Sequence, residues 1–196
     1  MAIDTYALTT REAVQNYRVF QGSVGKTTPE IDALIDNLID ATSARIESYC
    51  NRKFLSRSYT EYYDGVGAST LYTDNYPILS VASIYDDAVW EWDVSTLITG
   101  TSYRIANSNS IVAKSGYSFS SGSQNIKITY TAGYTTVPYD IEHACVVEIF
   151  RVFDKVKDIG VFSRTTATGD TSTYVTNDFI DATKTTLDKY KVKAAF

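Results

Sequence analysis

The residues of this chain that could do chemistry are few and scattered. Gly22-Ser23-Val24-Gly25-Lys26-Thr27 has the ending of a phosphate-binding loop. Such a loop needs a glycine where Phe20 stands and a strand before it, and here a helical pattern precedes it, so it could not wrap phosphates. His143 stands beside Glu142, with Cys145 two residues on. Residues so spaced do not face each other on a helix, and no Gly-x-Ser-x-Gly elbow is present. His143 therefore reads as structural or interfacial, and Cys50 and Cys145 as small hydrophobes. One histidine and two cysteines exclude a multi-histidine metal site and a disulfide scaffold. No metal or other cofactor is expected. Nothing supplies a nucleophile, a base and an oxyanion site together, so we expect a binding or assembly protein rather than an enzyme.

Three clusters suit binding. Trp90-Glu91-Trp92-Asp93 puts two indoles on one side of a strand or hairpin. Such aromatics can stack a sugar, pack in a core or meet a neighbouring protein. Asp32, Asp36 and Asp40 recur at i, i+4, i+8 as one acidic stripe beside an apolar one. Like charges at that spacing cost roughly 0.2–0.5 kcal/mol per pair. The stripe is either a solvated face or a surface that repels an anion such as DNA or meets a basic neighbour. Lys184, Lys189, Lys191 and Lys193 gather near the end of an otherwise acidic chain. They suit the helix dipole or form a basic arm, ended by Phe196, that docks on an acidic partner.

The elements that must position these groups follow from periodicity. Thr9 or Thr10 caps a first helix, with Glu12 placed for a capping box. Thr28-Pro29-Glu30 opens a second, whose stripe Ile31, Leu34, Ile35, Leu38, Ile39, Thr42, Ile46 and Tyr49 runs to about Cys50. The period then changes to two. Strands are expected over Arg57–Tyr63, around Leu71-Tyr72, over Leu79–Tyr85 with both faces covered, and over Tyr103–Ile105, Ser110–Ala113 and Asn125–Thr131. Asp64-Gly65 is expected to form a tight turn with positive φ. Gly133 should allow a sharp bend. A third helix covers Tyr139 to Val156, with Glu148, Arg151, Asp154 and Lys155 on its polar face. Ile159 to Thr176 lacks periodicity and reads as a long loop. Asn177 and Asp178 are positioned to cap a last helix that carries Phe179, Ile180 and Leu187.

The fold class is thus α+β: a helical bundle from N- and C-terminal segments with an inserted small β-domain. Residues 1–54 supply the first helices, 55–134 the insert, and 135–196 the returning helices, loop and tail. The length of 196 residues fits one or two domains. No apolar run approaches the ~18 residues of a membrane span, and the start lacks the pattern of a signal peptide. The formal net charge of -5 does not favour nucleic-acid binding. The unusual feature is the aromatic load of 16 Tyr, 8 Phe and 2 Trp against one Met. Tyrosine suits surfaces that neighbours bury while one end stays polar.

Several segments taken in order resemble the head-tail connector (adaptor, head completion) proteins of tailed bacteriophages. Ile46-Glu47-Ser48-Tyr49-Cys50-Asn51-Arg52-Lys53-Phe54 is similar to that family's helix end. Tyr59-Thr60-Glu61-Tyr62-Tyr63-Asp64-Gly65 looks like its first strand and turn, and Tyr76-Pro77-Ile78-Leu79-Ser80-Val81-Ala82-Ser83-Ile84 like its next strand. Ile128-Thr129-Tyr130-Thr131-Ala132-Gly133-Tyr134, with Val137-Pro138 and Ile141, resembles its strand-to-helix passage, and Gly169-Asp170-Thr171-Ser172 its late loop. The Ser/Gly-rich Ser115–Ser123 and the tryptophan-bearing insert depart from the pattern.

The resemblance implies a structural virion protein: a homo-oligomeric ring, typically a dodecamer, bound under the portal protein at the neck and assembled in the host cytoplasm. It would extend the DNA channel, pass double-stranded DNA without specific binding, and dock the next neck or tail protein (stopper, tail terminator or nozzle). No membrane is involved. Lys184, Lys189, Tyr190, Lys191, Lys193 and Phe196 would then dock the portal, and truncation before Lys184 is expected to leave the fold. Asp32, Asp36 and Asp40 would face the channel. Trp90, Trp92, Thr165, Asp170 and Tyr174 would meet neighbours. The alternative is a carbohydrate- or protein-binding β-module with helical flanks.

Overall fold

The computed structural model describes residues 3–20, 28–114, 116–154, 163–165, 171–173 and 179–192. The chain divides into a helical unit, Met1–Arg52 with Val137–Phe196, and a β unit, Lys53–Thr136. The architecture is α+β.

The helical unit is organised by α2 (Pro29–Cys50). The Thr28 side chain accepts the Ile31 N–H at 3.4 Å and Pro29 takes the first helical position, the expected cap. Asn51 (φ 50) ends the helix in the left-handed conformation, where asparagine is tolerated. Ile35, Ile39, Ile46 and Cys50 are wholly buried along one stripe. Each such isoleucine contributes roughly 1.5–3 kcal/mol on leaving water. α2 packs against α3 (Tyr139–Asp154) and α4 (Asp181–Asp188), and α3 also packs against α1 (Arg11–Phe20). Ile141, Cys145 and Ile149 of α3, Val14 of α1, Leu8 and Leu187 complete the core. Thr10 is the N-cap of α1, its Oγ1 accepting the Ala13 N–H at 3.2 Å. Thr9 is buried instead, and with Thr10 as the cap the third helical position is Ala13 rather than Glu12, so the expected capping box does not form.

Two expectations are corrected in this unit. Glu148 is not on a solvated face: it is 1% exposed, because its carboxylate is consumed by Arg151 and by the backbone entering α4. The segment read as a structureless loop contains two short strands, β7 (Ser163–Thr165) and β8 (Thr171–Thr173), paired antiparallel with Thr165 opposite Thr171. Threonine is β-branched and fits a pleated strand, a preference that the lack of apolar alternation had hidden. The rest of that segment, with Asn177 and Asp178, lies outside the described residues.

The β unit holds two three-stranded antiparallel sheets. In the first, β6 (Gly122–Ala132) runs between β1 (Arg57–Gly65) and β3 (Ile78–Asp86). In the second, β5 (Ser110–Ala113) runs between β2 (Thr70–Tyr72) and β4 (Tyr103–Asn107). Ile84, Ile111, Phe119, Ile126, Ile128 and Tyr130 share one core. β3 does not have two covered faces: it is an edge strand with two register shifts against β6, and Leu79 is 42% exposed.

Gly65 is likewise not a positive-φ turn residue. It ends β1, and a Cβ there would stand 1.8 Å from the Ser120 carbonyl oxygen. Glycine is required by close backbone approach, and the positive φ falls at Gly67 (73°). Gly133 does make the expected bend, at φ 116°, with no room for a Cβ beside Leu55 and Ser56.

Candidate functional site

The acidic stripe of α2 is the first candidate, and α1 with the residues before it lies over it. Asp36 is 2% exposed. Its Oδ1 accepts from Arg11 Nε at 2.7 Å and its Oδ2 pairs with Arg11 Nη2. Hydrogen bonding to the guanidinium holds the carboxyl below the usual aspartate range. Asp32 accepts from Gln15 Nε2 at 2.9 Å, and Asp40 accepts the Asp4 N–H at 3.0 Å. The stripe is therefore not three solvated charges: at Asp36 it is an internal ion pair. Sequence reading missed Arg11, whose partner lies 25 residues away.

The C-terminal basic residues come second. Tyr190 Oη donates to the Asp140 carboxylate at 2.9 Å, and the Val192 N–H donates to the Cys50 carbonyl at 2.9 Å. Lys191 Nζ sits 4.3 Å from the Tyr49 ring centroid. These residues are tied to the helical unit rather than extended from it. Lys184 lies within α4, half-buried, and Lys189 is exposed at its C-cap. Lys193 and Phe196 lie outside the described residues, as do Asp170, Tyr174 and the Gly22–Thr27 segment. Thr165 is described only by its place in β7.

His143 is exposed and meets the Tyr17 ring edge-on at 6.1 Å. Burial pushes the Cys145 thiol up to about 12, with Ser43 Oγ 3.9 Å from its sulfur, and the Cys50 thiol up to about 11. Neither supplies a thiolate at neutral pH. Among the described residues no group of three or more His, Cys, Asp or Glu could hold a metal ion. Among them, too, no helix is long and apolar enough to cross a membrane.

The third candidate is built on the β unit. Tyr62 of β1, Lys127 of β6 and Tyr85 of β3 face one another across the sheet. The Lys127 ammonium lies 5.8 Å from the Tyr85 ring, 6.0 Å from Tyr62 and 5.5 Å from Trp92. The Trp92 and Tyr62 rings are 5.5 Å apart. The loop after β3 is shaped by Asp87, which is 3% exposed. Its carboxylate accepts the N–H groups of Val89 at 2.9 Å and Trp92 at 2.7 Å, and these bonds hold its carboxyl below the usual range. Trp90 is 57% exposed and donates Nε1–H to the Ser123 carbonyl at 3.2 Å. Tyr62, Trp90, Trp92 and Gln124 line one cavity.

The structure thus brings Trp90 and Trp92 together, and adds Tyr62, Gln124 and Lys127. The sequence signal for Tyr62 and Lys127 was strand alternation, which cannot reveal register without a partner strand. The signal for the loop was Asp87, placed two residues before Val89 as in an Asx turn.

The comparisons with known proteins bear on the whole chain. The profile of a family described as "Head completion protein" matches residues 7–192. No curated protein sequence matches. Solved structures that share the fold include the following three. A chain from the "Neck of empty GTA particle computed with C6 symmetry" superposes with a TM-score of 0.58 at 13% identity, covering 93% of this chain and 90% of that one. A chain from the "Virion of native gene transfer agent (GTA) particle" gives 0.58 at 14%, over 100% and 95%. A chain from the "Neck of native GTA particle computed with C12 symmetry" gives 0.54 at 14%, over 95% and 94%.

Proposed function

The chain belongs to the head completion protein family, and we propose that it works as a head-tail adaptor: a ring at the neck of the virion that extends the DNA channel below the portal protein. The observation that carries this reading is the family match, which runs through both the helical segments and the β insert. The similar solved chains come from neck and virion particles, two of them described with C6 or C12 symmetry, and they favour a ring, with twelve copies as the expected number. The role is structural, without catalysis or a cofactor.

The portal-facing surface is the end of the chain: Lys184 and Lys189 on and beside α4, then Tyr190, Lys191, Lys193 and Phe196. The neighbour-facing surface includes Trp90 and Trp92, with Thr165, Asp170 and Tyr174 from the late segment. Along the channel, passing DNA is kept from sticking by negative walls, since affinity for DNA comes mainly from phosphate neutralisation. Asp32 and Asp40 are half-exposed and suit that role; Asp36 is neutralised by Arg11, which also reaches Asp32 at 3.9 Å. The net charge of -5 per copy works in the same direction.

Electron microscopy of the purified chain mixed with its portal protein tests the reading. The expected result is a ring seated on the portal, and the chain present in mature virions. A chain that stays monomeric with the portal, and that is missing from virions, overturns it.

A further inference from the structure

The cavity lined by Tyr62, Trp90, Trp92 and Gln124 measures about 270 Å³. It lies at the end of the β1–β6–β3 sheet opposite the one where the chain enters and leaves the β unit. Its backbone is costly. Trp90 (φ 62), Trp92 (φ 57) and Gln124 (φ 47) all adopt the left-handed conformation, which glycine takes freely and bulky residues do not. Hydrogen bonds fasten each of them. The Asp87 carboxylate holds the Trp92 N–H, the Ser123 carbonyl holds the Trp90 indole, and Asp64 Oδ1 holds the Gln124 N–H at 2.6 Å. Strain kept in place by surrounding bonds points to use of the side chains it displays. Here those are two indoles at a surface, one of them 57% exposed.

Size and charge select the occupant. Clefts that hold drug-sized ligands run to roughly 300–1,000 Å³, so this cavity, at the bottom of that range, suits a small occupant such as one side chain or one sugar ring. Its walls are three aromatic rings and one amide. Asp64 is bonded at its edge, and Glu91 and Asp93 are exposed on either side of Trp92 in the loop. Lys127 supplies one opposing charge, its ammonium 5.5 Å from the Trp92 ring and 6.0 Å from Tyr62, so the three carboxylates leave the surroundings net negative. Aromatic faces attract cations, and the planar guanidinium stacks on them as well. A sugar would also stack, but it calls for several convergent polar groups, and beside the Gln124 amide and the Tyr62 hydroxyl the lining is aromatic, with the Trp90 indole N–H already donated to Ser123.

We infer that this cavity is a preformed socket for one arginine side chain presented by a partner protein. The inference rests on the assembly reading above for the source of that partner, while the preference for arginine belongs to the isolated chain. Trp90 and Trp92 are the only tryptophans in the sequence, so tryptophan emission, excited on the red edge where the 16 tyrosines do not absorb, reports on this cavity alone.

The full chain is titrated at constant ionic strength with an acetylated arginine–glycine dipeptide amide, with its citrulline isostere, and with methyl N-acetylglucosaminide. The arginine peptide should give a saturable change in emission, and the citrulline peptide one about fivefold weaker or worse. Trp90→Ala, read through Trp92 with circular dichroism confirming the fold, should weaken the arginine response by a similar factor. Glu91→Gln, a surface change, should weaken it by about twofold. Equal responses to arginine and citrulline overturn the proposal, as does saturation by the sugar alone, no response up to about 200 mM, or an affinity unmoved in both variants. A failed titration beside an intact ring on the portal removes only the socket. A selective arginine response without a ring removes only the adaptor reading.

Discussion

Glu148→Ala should damage the very element that carries the C-terminal basic residues. The Glu148 side chain is 1% exposed, and its Oε2 receives both Arg151 Nε and Nη2 at 2.8 Å. Its Oε1 accepts the Ile180 N–H at 2.9 Å, just where α4 begins. Ile180 is the N-cap and has no side-chain cap of its own, so the glutamate of α3 does that work from another helix. A negative group there also suits the positive end of the helix dipole. Hydrogen bonds to a charged group contribute about 1.5–3 kcal/mol, and removing one partner of a buried pair costs roughly 3–5 kcal/mol. The Arg151 side chain is 14% exposed and regains some hydration, which puts Glu148→Ala near the low end, about 3 kcal/mol. Glu148→Gln keeps an acceptor for the Ile180 N–H and should lose about half of that. With a urea m-value of about 2 kcal/mol/M, the alanine variant should shift the midpoint of the helical unit's transition by about 1.5 M. Hydrogen exchange should show α4 losing more protection than the centre of α2. A loss below about 0.5 kcal/mol would refute the reasoning. So would full additivity with Arg151→Ala, since groups in one network must couple.

Asp36→Asn tests the internal ion pair through pH. Arg11 holds the native carboxyl below the unfolded value of about 3.9, so between the two values the unfolded chain binds more protons and stability rises with pH. The stabilisation is complete above the unfolded value and is lost as pH falls through the native one; acid unfolding should be less steep in Asp36→Asn, and equal slopes would contradict the pairing. Gly133→Ala should cost about 1–3 kcal/mol, measured by thermal unfolding, from its φ of 116° and the crowding by Leu55. Gly65→Ala should cost about 3 kcal/mol or more, because the obstacle at 1.8 Å is backbone and cannot swing away. Truncation after Val192 should leave the helical unit's melting transition in place. Truncation before Lys184 should abolish it, since it removes the wholly buried Leu187 and the Tyr190–Asp140 and Val192–Cys50 bonds.

The last prediction runs against the expectation that the chain could be cut before Lys184 with its fold intact, and the contacts behind it mark where sequence reading stops. The long helices were legible because each is set by neighbours in sequence: a threonine cap, a proline, and an apolar stripe every third or fourth residue. Whether a charged residue on such a helix is solvated is set by what folds over it, and that information is not local. Asp36 and Glu148 have the same helical spacing as exposed acids, yet Arg11 and the Ile180 backbone arrive from far along the chain to bury them. The socket was half legible for the same reason. Two tryptophans in one loop were visible, but Tyr62 and Gln124 join them only through strand pairing, and the loop's conformation depends on a buried Asp87.

The segments that carry the family resemblance acquire a physical reason from where they fall. An inserted unit must begin and end at nearly the same point, so its two ends have to be fastened to each other. Asn51 turns the chain out of α2 at φ 50. Three residues later the Phe54 carbonyl accepts the Tyr134 N–H at 2.7 Å, and the Ser56 N–H donates to the Tyr134 carbonyl at 2.9 Å. Leu55 and Tyr134 thereby form a parallel bridge. The Gly133 N–H donates to the Pro77 carbonyl at 2.9 Å, which draws the start of β3 into the same knot. Its bare α-carbon lets Leu55 and Ser56 pass where a Cβ would stop them. The motif at the end of α2, the one opening β3 and the one closing β6 are therefore parts of a single closure, and none of them has a reason to exist without the others. Isolated, each is a common string of residues. Together they describe how one chain can leave a helical unit, build two sheets and return.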